Sequence, residues 1–417
     1  MRTAKVIIIG GGIGGLTAAL SLHQAGFDVQ VFESAREIKP LGVGINLLPH
    51  AVRVLTNLGF KNQLTDVAVP TSELVYFNKF GQRIWQEPRG KFAGYNWSQF
   101  SIHRGLFQMI LLEAVRKEIG ESCINTGYHL KYYRNQDGFV EATFVNKESG
   151  RFLAKVEGDV LIGADGIHSV VRKQLYPDEG APKFAGIILH RGTTKAKPFL
   201  SGSSMIMAGS GDKKFVAYPI SPNLDENGSQ LINWIADLRV SVEGNMMARD
   251  WNRKADKEKL LAEFESWHFP WLDIPSLIAG AEAVYEYPMS DRDPLPMWSD
   301  GRVTLLGDAA HPMYPIGSNG ASQAILDAEC LTESIAGISD TKEALKQYEA
   351  IRLPVTANIV LQNRQMGPEQ VMQIVEDRAP DGFEKLSDVI SEEELEDIAA
   401  RYKKIAGFDK DALNQKH

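Results

Sequence analysis

Three glycines near the N-terminus have the spacing of a dinucleotide-binding turn. Gly10, Gly12 and Gly15 match the pattern G-x-G-x-x-G, between an apolar run and a segment with helical character. The glycines permit a tight turn and a close approach of the backbone to a pyrophosphate, whose charge the helix N-terminus favours. Glu33 ends the next predicted strand, where an acid can accept a hydrogen bond from a ribose hydroxyl. These residues predict a bound dinucleotide, and they fit NAD and FAD equally.

Two further acids each follow an apolar strand and a glycine. Asp165 begins a strand-to-helix connection, where the alternative interpretation is an ordinary helix N-cap. Asp308 follows a strand at the kind of edge where an open α/β sheet receives ligands, and its carboxylate suits a ribityl or ribose hydroxyl. Beyond Asp308, the segment Pro315 to Ala321 supplies two glycines and a helix start. Its backbone N–H groups suit the electron-rich end of a flavin ring.

The elements that must position these residues alternate between strand and helix at both ends of the chain. Between Gly186 and Pro288, short β-branched and aromatic runs separated by turns predict an antiparallel sheet. We therefore predict an α/β protein: a Rossmann-like nucleotide domain with an inserted antiparallel β-sheet substrate domain and a helical C-terminus. The expected boundaries are residues 1–180 and 291–365 for the nucleotide domain, 181–290 for the substrate domain and 366–417 for the C-terminal region.

Composition narrows the class of partner. The 417 residues carry a formal net charge of −8, which argues against a broad basic face and hence against nucleic acid. Cys123 and Cys330 are too few and too far apart for a disulfide framework or a thiolate metal site. No stretch has the apolar length of a signal peptide core or a membrane span. We expect a cytoplasmic protein, monomeric or homodimeric, that uses no metal.

Together the three motifs resemble those of the flavin-dependent aromatic monooxygenases built like para-hydroxybenzoate hydroxylase, which carry them in this order. The resemblance covers roughly residues 1–365 and identifies the dinucleotide as FAD. It implies that Gly14, Glu33, Arg104, Asp165 and Asp308 hold FAD together with the glycine turn. It also implies that the isoalloxazine ring is bordered by Val43, Gly44, Ile45, Gly317, Asn319, Gly320 and Ala321.

Residues 40–46, 287–296 and 319–327 resemble more closely the group of 5-methylphenazine-1-carboxylate monooxygenases and their relatives. What this resemblance implies is that NADH or NADPH reduces FAD and that O₂ adds to the reduced flavin. The resulting C4a-hydroperoxide then hydroxylates an aromatic or heteroaromatic ring. A carboxylated ring would also permit decarboxylative hydroxylation. The flavin performs the chemistry, so no catalytic side chain is expected.

The predicted sheet should cover the substrate. Arg191 can pair with a carboxylate, Tyr218 can stack on or hydrogen-bond an aromatic ring, and Pro315 should approach the flavin edge. Ordinary packing suits Tyr218 equally, and a solvated surface position suits Arg104. Two other classes of protein stay open at this point: a flavin dehydrogenase or oxidase that inserts no oxygen, and a non-catalytic flavin-binding regulator.

Overall fold

The computed structural model describes residues 4–40, 42–240 and 253–416. Leu41, within the phenazine-enzyme-like segment, lies outside these ranges. The α-helices of the described residues are, in chain order, α1 Ile13–Gln24, α2 Pro49–Asn57, α3 Lys61–Val67, α4 Arg104–Glu118, α5 Val170–Leu175, α6 Lys257–Phe264, α7 Ile274–Ala279, α8 Gly320–Gly337, α9 Thr341–Arg364, α10 Gln370–Arg378, α11 Glu392–Ile405 and α12 Lys410–Asn414.

The strands of the described residues form several sheets. In chain order they are β1 Lys5–Ile9, β2 Asp28–Glu33, β3 Gly44–Leu47, β4 Val69–Pro70, β5 Glu73–Phe77, β6 Arg83–Pro88, β7 Phe100–His103, β8 Ile124–Thr126, β9 His129–Asn135, β10 Val140–Val145, β11 Phe152–Gly158, β12 Val160–Gly163, β13 Lys183–Ala196, β14 Ser204–Gly209, β15 Lys213–Pro219, β16 Gln230–Arg239, β17 Arg253–Lys254, β18 His268–Phe269, β19 Leu272–Asp273, β20 Tyr285–Asp291 and β21 Val303–Leu305.

A parallel sheet with the order β21-β12-β1-β2-β8 forms the centre of the nucleotide domain. The central strands β1 and β12 are apolar runs because both faces of the sheet are covered there, and Val6, Ile7 and Ile8 of β1 have no exposed surface. The strands β1, β12 and β21 are neighbours that end in register, Ile9 beside Gly163 and Gly163 beside Leu305. Because parallel strands end at one edge, the three predicted motifs lie side by side there.

A larger sheet has the order β17-β20-β13-β16-β15-β14-β5-β6 among the described strands. Its pairs are antiparallel, as predicted for this region, except that β5 runs parallel to β14. The domain boundaries need one correction, because residues 73–88 were assigned to the nucleotide domain although β5 and β6 extend this sheet. The physical reason is that β14 has an open edge, which β5 covers with backbone hydrogen bonds. The remaining boundaries stay predictions.

Side chains of the larger sheet alternate between two faces. One face, which includes Trp234, packs against α6 and α7 in an apolar cluster. The opposite face turns toward the nucleotide domain and the C-terminal helices. In strand order, one row of side chains on that face contains Thr193, Asn233, Tyr218, Met205, Leu74 and Glu87. We call this set the substrate-face row.

The C-terminal region packs onto that same face. Val371, Met372 and Val375 of α10 and Leu395 of α11 join an apolar cluster that includes Tyr218. Burying these side chains fixes the helices against the sheet, since each contributes about 1.5–3 kcal/mol. No helix in the described part of the chain combines the length and the hydrophobicity needed to cross a bilayer.

Candidate active site

The glycine turn lies between β1 and α1, as predicted. Gly10 has a φ of 110°, and a Cβ on it would lie 2.3 Å from the carbonyl oxygen of Ala164. A Cβ on Gly15 would lie 2.1 Å from the carbonyl oxygen of Gly10, so neither position accepts a side chain. Gly12 is the N-cap of α1 and has no atom within 4 Å of its Cβ position. The turn thus leaves its backbone open to a ligand at Gly12, beside the free N–H groups of a helix N-terminus.

Gly14 has a different environment. A Cβ on Gly14 would lie 2.8 Å from Leu306 and 3.2 Å from Ala324 of α8. This glycine therefore permits close packing of α1 on α8. Helix α8 directly follows the segment that contains Asp308 and Pro315. The structure gives Gly14 a part in aligning the two halves of the nucleotide site.

Glu33 stands at the end of β2 beside the glycine turn. Its Oε2 accepts a hydrogen bond from the Gly11 N–H (2.8 Å), and its Oε1 accepts one from the Ala35 N–H (2.7 Å). The Gln108 side chain of α4 donates to the carbonyl oxygen of Gly11 (2.8 Å). Glu33 is thereby held in one orientation at the expected ribose position, and α4 is tied to the same turn.

Arg104 is the first residue of α4, one turn before Gln108. Its side chain is exposed and has no hydrogen bond or ion pair with any residue that the structure describes. It lies beside Gly42, whose Cβ position is 3.7 Å from Arg104 Cδ, and close enough to Asp308 and Arg191 to influence the pKa of each. An unpartnered guanidinium between the glycine turn and Asp308 can neutralise a pyrophosphate.

Asp308 follows β21 at the same sheet edge. Burial raises the pKa of its carboxyl, and the nearby His311 and Arg104 offset part of that effect. Its side chain is nevertheless exposed, because it faces the cleft between the motifs. No residue in the described ranges hydrogen-bonds this carboxylate, so two acceptor oxygens are left for a ligand. A Cβ on Gly320 would lie 3.9 Å from Asp308 Oδ1, which brings the start of α8 to the same point.

A buried network that the sequence analysis did not single out holds the Asp308 turn. Asp327 of α8 accepts hydrogen bonds from the Gly307 N–H (3.0 Å), His311 Nε2 (2.6 Å) and Arg352 Nε (2.7 Å). Burial alone would raise the pKa of Asp327, but His311 and Arg352 outweigh it and lower that pKa to about 2. Asp327 thus stays ionised and fixes the turn that carries Asp308.

Asp165 lies where β12 leads into α5, as predicted, but its carboxylate already accepts hydrogen bonds from the protein. It accepts hydrogen bonds from the Ser169 hydroxyl (2.5 Å) and the Val170 N–H (2.7 Å). Ser169 is the N-cap residue of α5, and the Asp165 carboxylate accepts hydrogen bonds from the first N–H groups of the same helix. The alternative interpretation as a capping residue therefore describes the contacts of Asp165. The Asp165 segment adjoins the glycine turn through the backbone of Ala164, which packs on Gly10.

The predicted ring segment around Gly44 contacts the larger sheet directly. The Gly44 N–H donates to Asn233 Oδ1 (2.6 Å), and Arg191 Nη2 donates to the Gly44 carbonyl oxygen (3.2 Å). A Cβ on Gly44 would lie 2.7 Å from the Tyr218 ring. Val43 is buried and Ile45 half-buried beside it. Arg191 and Tyr218, both predicted to face the substrate, therefore lie together at this segment.

The surroundings of Tyr218 favour its protonated, neutral form. Burial raises the pKa of Tyr218 to about 12, against an opposing effect of Arg191, with which it shares a hydrogen bond. Burial lowers the pKa of Arg191. The Arg191 Nε and the Asn233 Nδ2 have no hydrogen-bond partner among the described residues. Two unpartnered donors thus stand beside the predicted ring position.

The second ring segment, residues 315–321, rests on the C-terminal helix α11. Pro315 is exposed, and Gly317 has a φ of 68° with its Cβ position 2.2 Å from Tyr402 Oη. The Asn319 side chain donates to the Tyr402 hydroxyl (3.0 Å), which in turn donates to Asn363 Oδ1 (2.9 Å). Gly320 and Ala321 begin α8, where their N–H groups have no earlier helical acceptor.

These observations fit FAD. One side of the cleft carries the open glycine turn, the fixed Glu33, the free Arg104 guanidinium and the free Asp308 carboxylate. The two predicted ring segments follow, each with unpartnered hydrogen-bond donors nearby. Sequence reasoning missed Asn233, Asp327 and Tyr402. Asn233 had a usable signal, because it is a polar residue within the apolar run Leu231 to Trp234 and shares a face with Tyr218. Tyr402 had none, because only the fold brings α11 to Gly317.

Comparison with known proteins agrees with this site. A family described as "FAD binding domain" matches residues 3–363. The chain is 43% identical over 361 residues to phenazine 1,6-dicarboxylic acid hydroxylase PhzS of Lysobacter antibioticus, across 86% of this chain and 89% of that protein. It is 30% identical over 362 residues to 6-hydroxynicotinate 3-monooxygenase of Pseudomonas fluorescens, across 84% and 88% of the two chains.

A solved salicylate hydroxylase, determined as a substrate complex, has the same fold. Its TM-score is 0.76 at 23% identity, and the likeness covers 99% of this chain and 97% of that one. The relatives named here are hydroxylases and monooxygenases, which favours oxygen insertion over the dehydrogenase alternative. The chain belongs to the FAD binding domain family and is an FAD-dependent aromatic monooxygenase.

Proposed function

We propose that this enzyme hydroxylates a carboxylated heteroaromatic ring of the phenazine type, with NADH or NADPH as electron donor and O₂ as oxygen source. The observation that carries the proposal is the 43% identity to a phenazine dicarboxylic acid hydroxylase over most of both chains. The name of the second relative also specifies a carboxylated ring, 6-hydroxynicotinate. A ring that bears a carboxylate is therefore the substrate class that both relatives support.

Each residue of the cleft has a part in this proposal. Gly10, Gly12 and Gly15 admit the pyrophosphate, Glu33 binds the adenosine ribose, and Arg104 neutralises phosphate charge. Asp308 accepts a hydrogen bond from the ribityl chain. When bound, FAD supplies the activation of O₂ and the transfer of one oxygen atom to the ring.

The protein then has to orient the substrate and exclude water. The segments Val43 to Ile45 and Gly317 to Ala321 border the isoalloxazine ring, with Pro315 at its edge. Tyr218 stays protonated at physiological pH, since its pKa is about 12, and can donate a hydrogen bond to a ring substituent. The apolar cluster between the sheet and the C-terminal helices keeps bulk water from this side of the site.

The experiment is a substrate screen on the purified, FAD-loaded protein. Phenazine carboxylates, hydroxynicotinates and salicylate are offered in turn, and NADH and NADPH oxidation is recorded with product mass. We expect one class to accelerate NAD(P)H oxidation and to gain one oxygen atom from ¹⁸O₂. Oxidised product without ¹⁸O would favour a flavin dehydrogenase and contradict the proposal.

Whether hydroxylation removes the carboxylate is tested in the same reaction. We propose the decarboxylative route for substrates in which the attacked carbon bears the carboxylate. Release of one CO₂ per substrate would support that route. A hydroxylated product that retains its carboxylate would eliminate it.

We also propose a cytoplasmic location and a monomeric or homodimeric state. Both cysteines, Cys123 and Cys330, are free thiols, as expected in a reducing compartment. Sedimentation of the FAD-loaded protein tests the oligomeric state, and a larger assembly would contradict it.

A further inference from the structure

A cavity lies between the larger sheet, the ring segment at Gly317 and the C-terminal helix α11. About 380 Å³ between its lining residues holds no protein atom, but much of this is open to solvent, and only about 20 Å³ admits the centre of a water molecule. Leu48, Leu74, Met205, Met207 and Phe408 provide apolar lining. The space is narrow, but unbranched methionine side chains can move to admit a flat ring.

The polar lining of this cavity is buried and incompletely paired. Tyr76 and Gln99 expose 1% and 3% of their surfaces, and Arg89 exposes 8%. The Tyr76 hydroxyl, Arg89 Nε and Gln99 Oε1 have no hydrogen-bond partner among the described residues. The first two atoms can donate a hydrogen bond, and the Gln99 oxygen can only accept one. Unpaired buried polar atoms cost on the order of 1–3 kcal/mol each, so a ligand that pairs with them is favoured.

The charged groups of the cavity have an excess of positive charge. Glu87 pairs with Arg89 and also with Lys403 of α11, at 2.5 Å for the second pair. The single carboxylate of Glu87 therefore pairs with two cations, Arg89 and Lys403. A ligand with one negative charge would balance the set, and Arg89 Nε with the Tyr76 hydroxyl offers two donors to it.

The cavity borders the second predicted ring segment, because Gly317 and Ser318 form part of its lining. The substrate-face row runs from Asn233 and Tyr218, beside Gly44, through Met205 and Leu74 to Glu87. Tyr76 lies two strands from Tyr218, which is about 10 Å at the usual strand spacing. A fused-ring ligand under the ring segment would therefore direct a substituent toward Arg89.

We propose that Arg89, with the Tyr76 hydroxyl, binds the anionic group of the aromatic substrate in this cavity. Arg191 lies on β13, five strand spacings from β6, or roughly 24 Å along the sheet. The two arginines cannot bind one carboxylate together. Arg191 is engaged with Gly44 and Tyr218, so its part is to position the ring segment. This inference rests on the proposed function for its substrate class. It also makes α11 part of the site that determines specificity, although α11 lies beyond the residues that the family matches.

The test measures binding to the FAD-loaded protein without turnover. The probes are two matched pairs, phenazine-1-carboxylate with phenazine-1-carboxamide, and salicylate with salicylamide, titrated by flavin absorbance. The variants are Arg89→Gln, Tyr76→Phe and Arg191→Gln. Arg83→Gln is the control, because Arg83 is an exposed arginine of β6 whose side chain donates a hydrogen bond to Gln86 and does not line the cavity.

We expect wild type to bind a carboxylate more tightly than its amide in at least one pair. Arg89→Gln should weaken that carboxylate about tenfold to a hundredfold and its amide less than twofold. Tyr76→Phe, which removes a hydroxyl without a protein partner, should act in the same direction by severalfold and keeps the test decisive if Arg89→Gln does not fold. Arg191→Gln should weaken both members of the pair alike, and Arg83→Gln neither.

The proposal is overturned if wild type prefers the carboxylate in neither pair. It is also overturned if Arg191→Gln removes the preference while Tyr76→Phe and any folded Arg89→Gln protein retain it. Binding that depends on Arg89 without ¹⁸O incorporation in any substrate would instead contradict the proposed hydroxylation and leave the subsite standing.

Discussion

Replacing Asp327 with asparagine should destabilise the protein and weaken FAD binding together. Asp327 has no exposed surface and accepts hydrogen bonds from His311, Arg352 and the Gly307 N–H. An asparagine of the same shape offers one oxygen instead of two and carries no charge. Arg352 would then be a buried cation with only neutral partners, and such a loss costs about 3–5 kcal/mol. That is a large part of the 5–15 kcal/mol typical of a folded protein.

The pH at which this is measured follows from the pKa of Asp327. The folded-state pKa is about 2, below the ordinary 3.8, so ionisation of this carboxyl stabilises the folded state. The contribution, roughly 2 kcal/mol, is fully present above pH 5 and is lost as the pH falls through about 2. Urea unfolding at pH 7 therefore reports its full value.

The assay compares apo-protein stability and FAD affinity for wild type, Asp327→Asn and the control Asp397→Asn, an exposed acid of α11. We expect the first variant to lose about 3–5 kcal/mol and to release FAD more readily, because the Asp308 turn has lost its anchor at Gly307. The control should stay within about 0.5 kcal/mol of wild type. An Asp327→Asn protein within about 1 kcal/mol of wild type that binds FAD normally would refute the reasoning.

Three further outcomes are expected. Asp308→Asn should weaken FAD binding about tenfold to a hundredfold. It should leave the stability of the apo-protein to urea unchanged, because this exposed carboxylate has no partner among the described residues; a less stable apo-protein would contradict it. Gly44→Ala should displace Tyr218 or Asn233, lower the free energy of unfolding by about 1–3 kcal/mol and reduce FAD affinity. The control Gly337→Ala, which has open space at its Cβ position, should change neither stability nor FAD affinity. Equal effects of the two variants would count against the contact of Gly44 with Tyr218 and Asn233. Lys214→Met leaves Asp237 and Glu369 buried without their cation and should cost about 3–5 kcal/mol. Lys213→Met removes partly exposed contacts with Glu263 and with the Phe264 ring and should cost at most about 1 kcal/mol. Similar losses in thermal unfolding would contradict this.

The nucleotide domain was predictable because its signals are local. Gly10, Gly12 and Gly15 follow a strand and open a helix within one short segment, and Asp308 is adjacent to its own strand. Such patterns depend on backbone geometry that neighbouring residues determine. The parallel sheet then brings the motifs together without further information, since its strands end at one edge.

The larger sheet was predictable only in part. Its antiparallel texture is visible between residues 186 and 288, but β5 and β6 join it from residues 73–88 through a parallel pairing with β14. The pairing of strands that are distant in the chain cannot be predicted from a local sequence pattern. For the same reason the sequence identified Arg191 but not Arg89, which belongs to this sheet only through β6.

Asp308 and Asp327 differ in the features that distinguish the proposed ligand-binding acid from a structural one. Both lie near the same turn, yet the buried Asp327 has three partners and a lowered pKa, whereas Asp308 faces the cleft with a raised pKa and no partner among the described residues. A fold that leaves a buried polar group unpaired loses stability, and a ligand recovers it on binding. The same criterion separates Asp165, whose carboxylate caps α5, from Arg104, whose guanidinium is free. On and beside the larger sheet, unpaired buried atoms occur at Arg191 and Asn233 beside Gly44, at Tyr76 and Arg89 in the cavity under α11, and also at Trp85 and Asp237. A missing partner therefore identifies a proposed ligand contact only where the atom also borders the ring segments or the cavity, as it does for the first four residues.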